Sequence, residues 1–394
     1  MKRILCLVVA AFSFFPLHAD DAFPYSTRSL AIDAMNEYPS DQNWVFSPLS
    51  ASAALSMVYA GSDGRTAEEL RQVLHLFLPQ ESVGTAFHNF SQDLLHFSSN
   101  NNDFELRITQ GIWSQRGFLF LNPFISSMRE DFKAQIESID FSLAAIEQIN
   151  GWIADHTEHK IENLFNLNDL DSSTRLVLAN AIYFKGKWIN PFQPDSTRLA
   201  PFRLSTKGTK EVKMIQQFSQ FPYFEDADWQ AIVLPFERDR LVQTEPACLL
   251  LLSKHADTSP CLSAEKLELI LSSCKRRMIH LLIPRFKFEQ RIDLQDWLSR
   301  LGIRNSFSPL ADFSKMDGKM DLCLSKVVQK CIFSLDEQGV EAAAATGAAM
   351  NMKCCGPSEE EAIEFIADRP FEFLLIDQIS KTCLMVGHVA DPLQ

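Results

Sequence analysis

The amino-acid sequence predicts one large domain of mixed α and β structure, in the α+β class. Three observations lead to this prediction. Helical patterns dominate the first third of the chain, and strand patterns dominate the remainder. No Pro-rich or Gly/Ser-rich linker and no internal repeat divides the 394 residues. Hydrophobic residues make up 46% of the chain, which is enough for a large buried core.

The first helices are predicted from capping residues followed by apolar spacing. Ser47 and Pro48 suit the start of a helix, which we expect to end near Gly61. Thr66, with Glu69 three residues later, has the pattern of a capping box and predicts the start of a second helix. The isoleucines at positions 146, 149 and 153 lie at helical spacing and predict a third.

The strands are predicted from continuous or alternating apolar runs. Residues 176–184 form an apolar run of strand length that carries one polar residue, Asn180, which must find partners if it is buried. Apolar residues alternate around positions 286–288 and 331–335. Residues 371–376 and 383–389 flank a short polar turn and are expected to pair as a hairpin.

The first nineteen residues have the pattern of a secretory signal peptide. Two basic residues precede an apolar stretch over positions 4–15, and Leu17-His18-Ala19 suits the cleavage site. We therefore expect one mature domain, residues 20–394, that is secreted into the extracellular space or a periplasm. No later segment approaches about 18 consecutive apolar residues, so no membrane-spanning helix is expected.

The charge argues against a nucleic-acid-binding protein, and the cysteine content argues against a disulfide-built scaffold. The formal net charge of -13 argues against a nucleic-acid partner, because such binding depends on Lys and Arg that neutralise phosphates. Eight cysteines follow Cys6 of the leader, too few for a disulfide scaffold. Six of them lie mostly beside Leu, Ile or Ser and are expected to be small buried residues: Cys248, Cys261, Cys274, Cys323, Cys331 and Cys383.

An enzyme is the main alternative class, and the motifs do not support it. His156 and His159 lie near one another on a predicted helix, but no HExxH pattern surrounds them and their neighbours are charged. We interpret them as a solvated helix face. The sequence has no nucleophile elbow, Walker loop or dinucleotide-binding motif. No catalytic residue, metal or cofactor is predicted.

The most unusual segment is residues 337–362, a run of small side chains that directly follows a strand. Considered alone, its four consecutive alanines favour a flexible loop or a fraying helix. The same residues also suit a central strand. On one face such a strand presents Val340 and other uncharged residues, while Glu341 points to the opposite face. The segment is therefore compatible with two locations, outside a sheet or within one.

The sequence resembles the serpin family over essentially all of its mature length. Several motifs match in order: residues 43–50 (NWVFSPLS), 178–188 (LANAIYFKGKW), 283–287 (IPRFK), 311–314 (ADFS), the segment that begins at Glu337, 369–373 (RPFEF) and 387–389 (GHV). The resemblance implies three β-sheets, about nine helices and an exposed reactive-centre loop, about residues 337–362. It also implies a single domain that inhibits serine proteases.

In this family a protease attacks the loop, forms an acyl-enzyme and is trapped when the cut loop inserts into the main sheet as a new strand. The resemblance assigns hinge roles to Glu337, Gly339, Val340, Glu341, Ala342, Ala343, Ala344, Ala345 and Thr346. An uncharged Val340 at the first inward position favours an inhibitor over a member without inhibition. The alternative is a non-inhibitory carrier, storage protein or chaperone of the same fold.

The peptide bond that the target protease is expected to cut, which we call the bait bond, follows from a count along the loop. In inhibitory serpins it usually lies sixteen positions after the hinge glutamate, which gives Lys353 and the bond Lys353-Cys354. A lysine there suits a trypsin-like protease. Met352 is the alternative bait and suits elastase-like or chymotrypsin-like proteases, or a cysteine protease. Counting backward from the RPFEF motif moves the bond toward Gly356, because the segment after Lys353 is longer than in many serpins.

The resemblance also indicates where the main sheet opens. Ser47, Ser50 and Asn180 match a polar cluster in which many family members place a buried histidine that bonds to the asparagine. This chain has Gln329 at that position. A glutamine both donates and accepts, so we expect the cluster to persist without a titratable ring. Trp188 matches the tryptophan where the loop first inserts.

The expected partner is a trypsin-like serine protease, held in a covalent acyl complex. Activation by heparin, known for some serpins, needs a basic stripe on the early helices, and residues 88–104 offer none. We therefore expect no heparin effect. A monomer is expected.

Overall fold

The computed structural model describes residues 19–95, 104–171, 173–206, 208–237, 244–255, 260–340 and 362–393. Within these ranges it has nine α-helices and fifteen β-strands. The helices are α1 (Ala22–Glu37), α2 (Pro48–Ala60), α3 (Gly64–Val73), α4 (Val83–Leu95), α5 (Asn122–Glu130), α6 (Leu143–His156), α7 (Ala264–Ser273), α8 (Gln295–Leu301) and α9 (Ser314–Asp317).

The fifteen strands range in length from two to seventeen residues. In chain order they are β1 (Trp44–Phe46), β2 (Phe104–Gln115), β3 (Gln135–Ile139), β4 (Leu176–Lys187), β5 (Arg198–Arg203), β6 (Thr209–Glu225), β7 (Trp229–Pro235), β8 (Pro246–Ser253), β9 (Lys275–Pro284), β10 (Phe286–Asp293), β11 (Leu324–Leu335), β12 (Gly339–Val340), β13 (Ile363–Ile366), β14 (Phe371–Asp377) and β15 (Cys383–Val389).

The helix starts show which capping predictions hold. The Ser47 hydroxyl accepts a hydrogen bond from the backbone N–H of Ser50, which confirms the predicted cap of α2. The predicted capping box at Thr66 is wrong. Helix α3 begins at Gly64 and is capped by Asp63, three residues before the predicted cap, while the Thr66 hydroxyl accepts from the backbone N–H of Asp312. A distant segment uses the oxygen that the local pattern assigned to the helix.

The smaller sheet has six strands in the order β10-β11-β12-β4-β2-β3, with an additional pairing of β11 to β4. Strands β4 and β2 run antiparallel over eleven residue pairs. Because β4 is central, its residues 176–184 are all buried, as the apolar run predicted. This sheet carries the candidate functional site.

The larger sheet has nine strands, in the order β1-β15-β14-β8-β7-β6-β9-β13 with β5 paired to β6. The predicted hairpin is confirmed as the antiparallel pair β14–β15. The described strands form two hydrogen-bonded sheets, whereas three were expected. The reason is the 17-residue strand β6, which pairs with β5, then with β9 and then with β7, and so joins all of these strands into one unit.

A continuous core lies between the two sheets and the helices that cover them. Cys248, Cys331 and Cys383 are buried in it, as expected, whereas Cys261 is exposed, contrary to the expectation. Among the described residues, no helix combines the length and the apolar character that crossing a membrane requires.

Candidate functional site

The centre of the smaller sheet contains a parallel contact between β4 and β11, which we call the seam. Its residue pairs run from Leu176–Leu324 to Ile182–Cys331. All the other pairings within this sheet are antiparallel apart from that of β2 with β3. A chain inserted between two strands that run in the same direction can be antiparallel to both, but only if the two strands first separate.

Strand β12 already occupies that position at one end of the seam. Val340 pairs antiparallel with Leu335 of β11 and also with Gly186 of β4. The fit is tight, because a Cβ atom on Gly339 would lie 2.0 Å from the carbonyl oxygen of Gly186. Val340 is fully buried. The two residues of β12 are therefore the start of a strand that, if continued, would separate β4 from β11.

One face of the seam is closed by the first turn of α2. On β11, Gln329 accepts a hydrogen bond from the Ser47 backbone N–H (2.8 Å) and donates one to the Ser47 carbonyl (3.0 Å). On β4, Asn180 donates to the Ser50 carbonyl (2.8 Å). The Ser47 hydroxyl donates to Leu384 O (2.7 Å). One helix turn is thus bonded to both strands, so separating them breaks buried hydrogen bonds.

The cluster predicted from the sequence is brought together, with a different pattern of bonds. Gln329 and Asn180 are direct register partners across the seam, yet each bonds to α2 rather than to the other. The Asn180 Oδ1 atom has no hydrogen-bond partner in the described part of the chain. The Cys331 thiol donates to Gln329 Oε1, and burial raises the pKa of that thiol, which keeps it protonated.

We expect Gln329→His to introduce a pH dependence that the native chain lacks at this position. A neutral imidazole offers one acceptor and one donor for Ser47, whereas an imidazolium offers two donors and repels the Ser47 N–H. Burial among neutral groups lowers the pKa of such a histidine below its unfolded value of about 6.5, so stability is lost as pH falls below that value. The effect is measured by comparing the thermal unfolding midpoints of the Gln329→His chain and of the native chain between pH 5 and pH 8. Equal pH profiles for the two proteins would contradict it.

The opposite face of the seam is covered by α6. A separate core cluster packs Ile146, Ile149 and Ile153 of this helix against small residues of β4, Ala179 and Ala181. The segment after α6 is bonded to the far side of the seam, where the Lys330 ammonium donates to the Glu162 carbonyl (2.7 Å). Any strand inserted between β4 and β11 must therefore displace α6 as well as break the bonds to α2.

A tight turn leads from β11 into β12. The Asp336 carboxylate accepts hydrogen bonds from the backbone N–H groups of Gln338 (2.8 Å) and Gly339 (3.2 Å). Burial raises the pKa of Asp336, and the two N–H bonds partly oppose that rise. Trp188 lies beside this turn, where its indole N–H donates to Asp336 O (3.0 Å) and its backbone N–H to Gln338 O (2.9 Å). The ring is stacked on Phe236.

Glu337 is held by residues to which the sequence assigned no role at the hinge. Its carboxylate accepts from the Thr197 hydroxyl (2.8 Å) and lies 3.6 Å from the guanidinium of Arg285. Its backbone carbonyl accepts from the N–H of Phe192 (2.8 Å). These partners lie up to 145 residues away in the sequence, so no local pattern indicates them. Only the spacing from Asp336 to Gly339 gives a turn signal.

We expect Trp188→Phe to destabilise the intact chain modestly. The phenyl ring keeps most of the stacking on Phe236 but leaves the Asp336 carbonyl without its donor, a cost of about 1–2 kcal/mol. Chemical denaturation measures the change. Phe192→Leu is a matched control, because it alters a neighbouring ring that donates no side-chain hydrogen bond. A loss no larger than the control's would show that the indole bond contributes nothing.

The remaining predicted residues fall into two groups. Positions 341–346 of the hinge and the bait residues Met352, Lys353 and Cys354 lie outside the described residues. His156 and His159 are exposed, but they do not share a helix face as predicted, because α6 ends at His156. Within the described ranges no group of His, Cys, Asp or Glu side chains has the arrangement of a metal site. The site therefore consists of the seam between β4 and β11, the first hinge residues paired at one end of it, and helices α2 and α6 packed on its two faces.

Comparison with known proteins identifies what this arrangement resembles. A family model described as "Serpin (serine protease inhibitor)" matches residues 26–392. A leukocyte elastase inhibitor of Bos taurus is 35% identical over 372 residues, which cover 91% of this chain and 95% of that protein. An uncharacterised serpin-like protein of Thermococcus kodakarensis is 33% identical over 93% of this chain and 84% of its own length.

A solved structure has the same architecture. The crystal structure of Serpin48, described as a highly specific serpin of the insect Tenebrio molitor, superposes with a TM-score of 0.78 at 30% identity. The match covers 94% of this chain and 98% of the insect protein.

Proposed function

This chain belongs to the serpin family of serine protease inhibitors, and from that premise we propose that it is a suicide-substrate inhibitor whose hinge enters the seam. The observation that carries the proposal is strand β12. Val340 already pairs with both seam strands, whereas residues 176–182 of β4 pair with residues 324–331 of β11. Continuing β12 replaces one parallel ladder with two antiparallel ladders, which supplies the energy for trapping.

The proposed reaction has two stages. A protease serine attacks the carbonyl carbon of the bait residue, the peptide bond breaks, and the new amino terminus leaves as in ordinary cleavage. The cut loop is then free of its tether to β13 and inserts between β4 and β11. The protease, still joined by its ester, is carried along the sheet. A strand of sixteen residues at about 3.3 Å each spans roughly 50 Å, the distance of that movement.

Two bonds compete as the bait, and each has its own support. Lys353 lies sixteen positions after Glu337 and suits a trypsin-like pocket with a buried carboxylate. Met352 suits an elastase-like pocket, and relatives named leukocyte elastase inhibitor, from cattle and from Equus caballus, favour that second reading. We take Lys353-Cys354 as the first candidate and Met352-Lys353 as the second.

We expect an SDS-resistant covalent adduct when the chain is incubated with the protease that its bait selects. Trypsin and a leukocyte-type elastase are compared in parallel, and mass spectrometry of the released carboxyl-terminal peptide identifies the bond. A peptide that begins at Cys354 supports the first candidate, and one that begins at Lys353 supports the second. Lys353→Ala is the matched variant: it abolishes the trypsin adduct in the first case and preserves the elastase adduct in the second.

The non-inhibitory alternative makes a distinct prediction in the same experiment. A carrier, storage protein or chaperone of this fold is cleaved in the loop without forming an adduct. Cleavage by both proteases, with no adduct at any ratio of protease to chain, would contradict inhibition of these enzymes and leave the fold assignment intact.

We further propose that residues 1–19 are a removable leader and that residues 20–394 form one exported domain. Ala22 and Phe23 at the start of α1 are buried and lie just after the predicted cleavage site, so cleavage there would keep them in the mature chain. Amino-terminal sequencing of the exported protein should begin at Asp20. A chain that retains Met1, or one that never leaves the cell, would contradict export.

A further inference from the structure

A cavity of about 280 Å³ opens beside the hinge glutamate. Its walls come from the segment before β5, from β5 and β6, and from the junction of β9 and β10. Three cationic side chains line it, Arg198, Lys213 and Arg285, together with the Thr197 hydroxyl and the Glu337 carboxylate. The volume is just below the range of ordinary small-molecule pockets, which begins near about 300 Å³.

Strand pairing and one backbone hydrogen bond hold the backbones of these three residues together, and their side chains are exposed. Strands β5 and β6 align Arg198 with Met214 and Leu199 with Lys213. The backbone N–H of Arg285 donates to the Lys213 carbonyl (2.9 Å), which fixes the third segment against the second. Three separate parts of the chain therefore each place one cationic residue at the same cavity, and strand pairing sets the positions of their backbones.

The positive charge of this cavity exceeds what the chain supplies to balance it. Glu337 is the one carboxylate in the lining; it accepts from Thr197, whereas the guanidinium of Arg285 lies 3.6 Å away, beyond ordinary hydrogen-bond distance. Arg198 and Lys213 have no ion-pair partner among the described residues. This surplus is unusual in a chain of net charge -13.

We propose that this cavity binds a small multivalent oxyanion, such as pyrophosphate or a compact polycarboxylate. Two guanidinium groups and one ammonium group line the cavity, and such groups form charge-assisted hydrogen bonds with anions of this kind. The anion binds Arg285 in competition with Glu337, so its binding is linked to the hinge. The binding itself requires no protease, and its failure would leave the proposed inhibition untouched.

Isothermal titration calorimetry of the full chain with pyrophosphate tests the proposal, with ionic strength held constant by sodium chloride. We expect one saturable site. Arg198→Gln and Lys213→Gln should each weaken binding roughly tenfold, the loss of one charge-assisted contact. Arg276→Gln is the matched control, because it removes the same charge from an exposed position of β9 outside the cavity, and it should bind as the native chain does.

Two further experiments identify which anion is preferred and test whether the anion competes with Glu337 for Arg285. Inorganic phosphate and citrate, titrated in the same way, distinguish phosphoryl from carboxylate recognition. Glu337→Gln removes the internal competitor and should tighten pyrophosphate binding several-fold. Absence of saturable binding to all three anions, or equal weakening by Arg276→Gln, would overturn the site. Unchanged affinity in Glu337→Gln would overturn the link to the hinge.

Discussion

We expect Val340→Glu to convert the chain from an inhibitor into a substrate. The protease should cut the loop at an undiminished rate, while the fraction recovered as SDS-resistant adduct falls to near zero. The reason is the environment of Val340, which is fully buried between β11 and β4 and is the point from which insertion must proceed. A burial cost of only about 3 kcal/mol slows insertion roughly a hundredfold, enough for hydrolysis of the acyl bond to win.

The matched control is Val340→Thr, which keeps the branched shape and adds a hydroxyl instead of a charge. It should retain most of the adduct. Circular dichroism of the intact Val340→Glu chain provides the folding control. We expect the charge to displace only the two residues of β12, because β4 and β11 pair with each other independently of them. An adduct yield equal to that of the native chain would show that insertion does not begin at this residue.

Local patterns were sufficient for the elements that surround the seam. The apolar spacing of α2, the buried run of β4 and the β14–β15 hairpin each follow from periodicity within a dozen residues. The resemblance added the grouping of Ser47, Ser50, Asn180 and Gln329. None of these signals reveals that Gln329 and Asn180 bond to α2 separately, because that depends on the parallel register of two strands almost 150 residues apart.

The hinge environment was the least accessible to prediction from sequence. Glu337 is held by Thr197 and Arg285, which come from different sheet regions and have no sequence pattern in common with it. The Thr66 cap failed for a related reason, because a long-range backbone donor from Asp312 competes for the same oxygen. Tertiary contacts decided both cases, and only the folded chain shows them.

The central claim is that the intact fold is strained by a missing strand and becomes more stable when the loop is cut. The native ladder between β4 and β11 is short and parallel, and the insertion of residues beyond Val340 would add hydrogen bonds on both sides and bury further surface. A gain of about 8 kcal/mol raises the unfolding temperature by about 10 °C in a domain of this size, because its unfolding entropy is about 0.8 kcal/mol/K.

The most direct measurement is therefore differential scanning calorimetry of the intact chain and of the same chain cleaved once within residues 341–361. Val340→Glu, cleaved in the same way, is the matched control and should gain little. A higher unfolding temperature for the cleaved native chain is the predicted result. Identical unfolding temperatures for the intact and cleaved native chains would contradict stored strain, and with it the proposed trap.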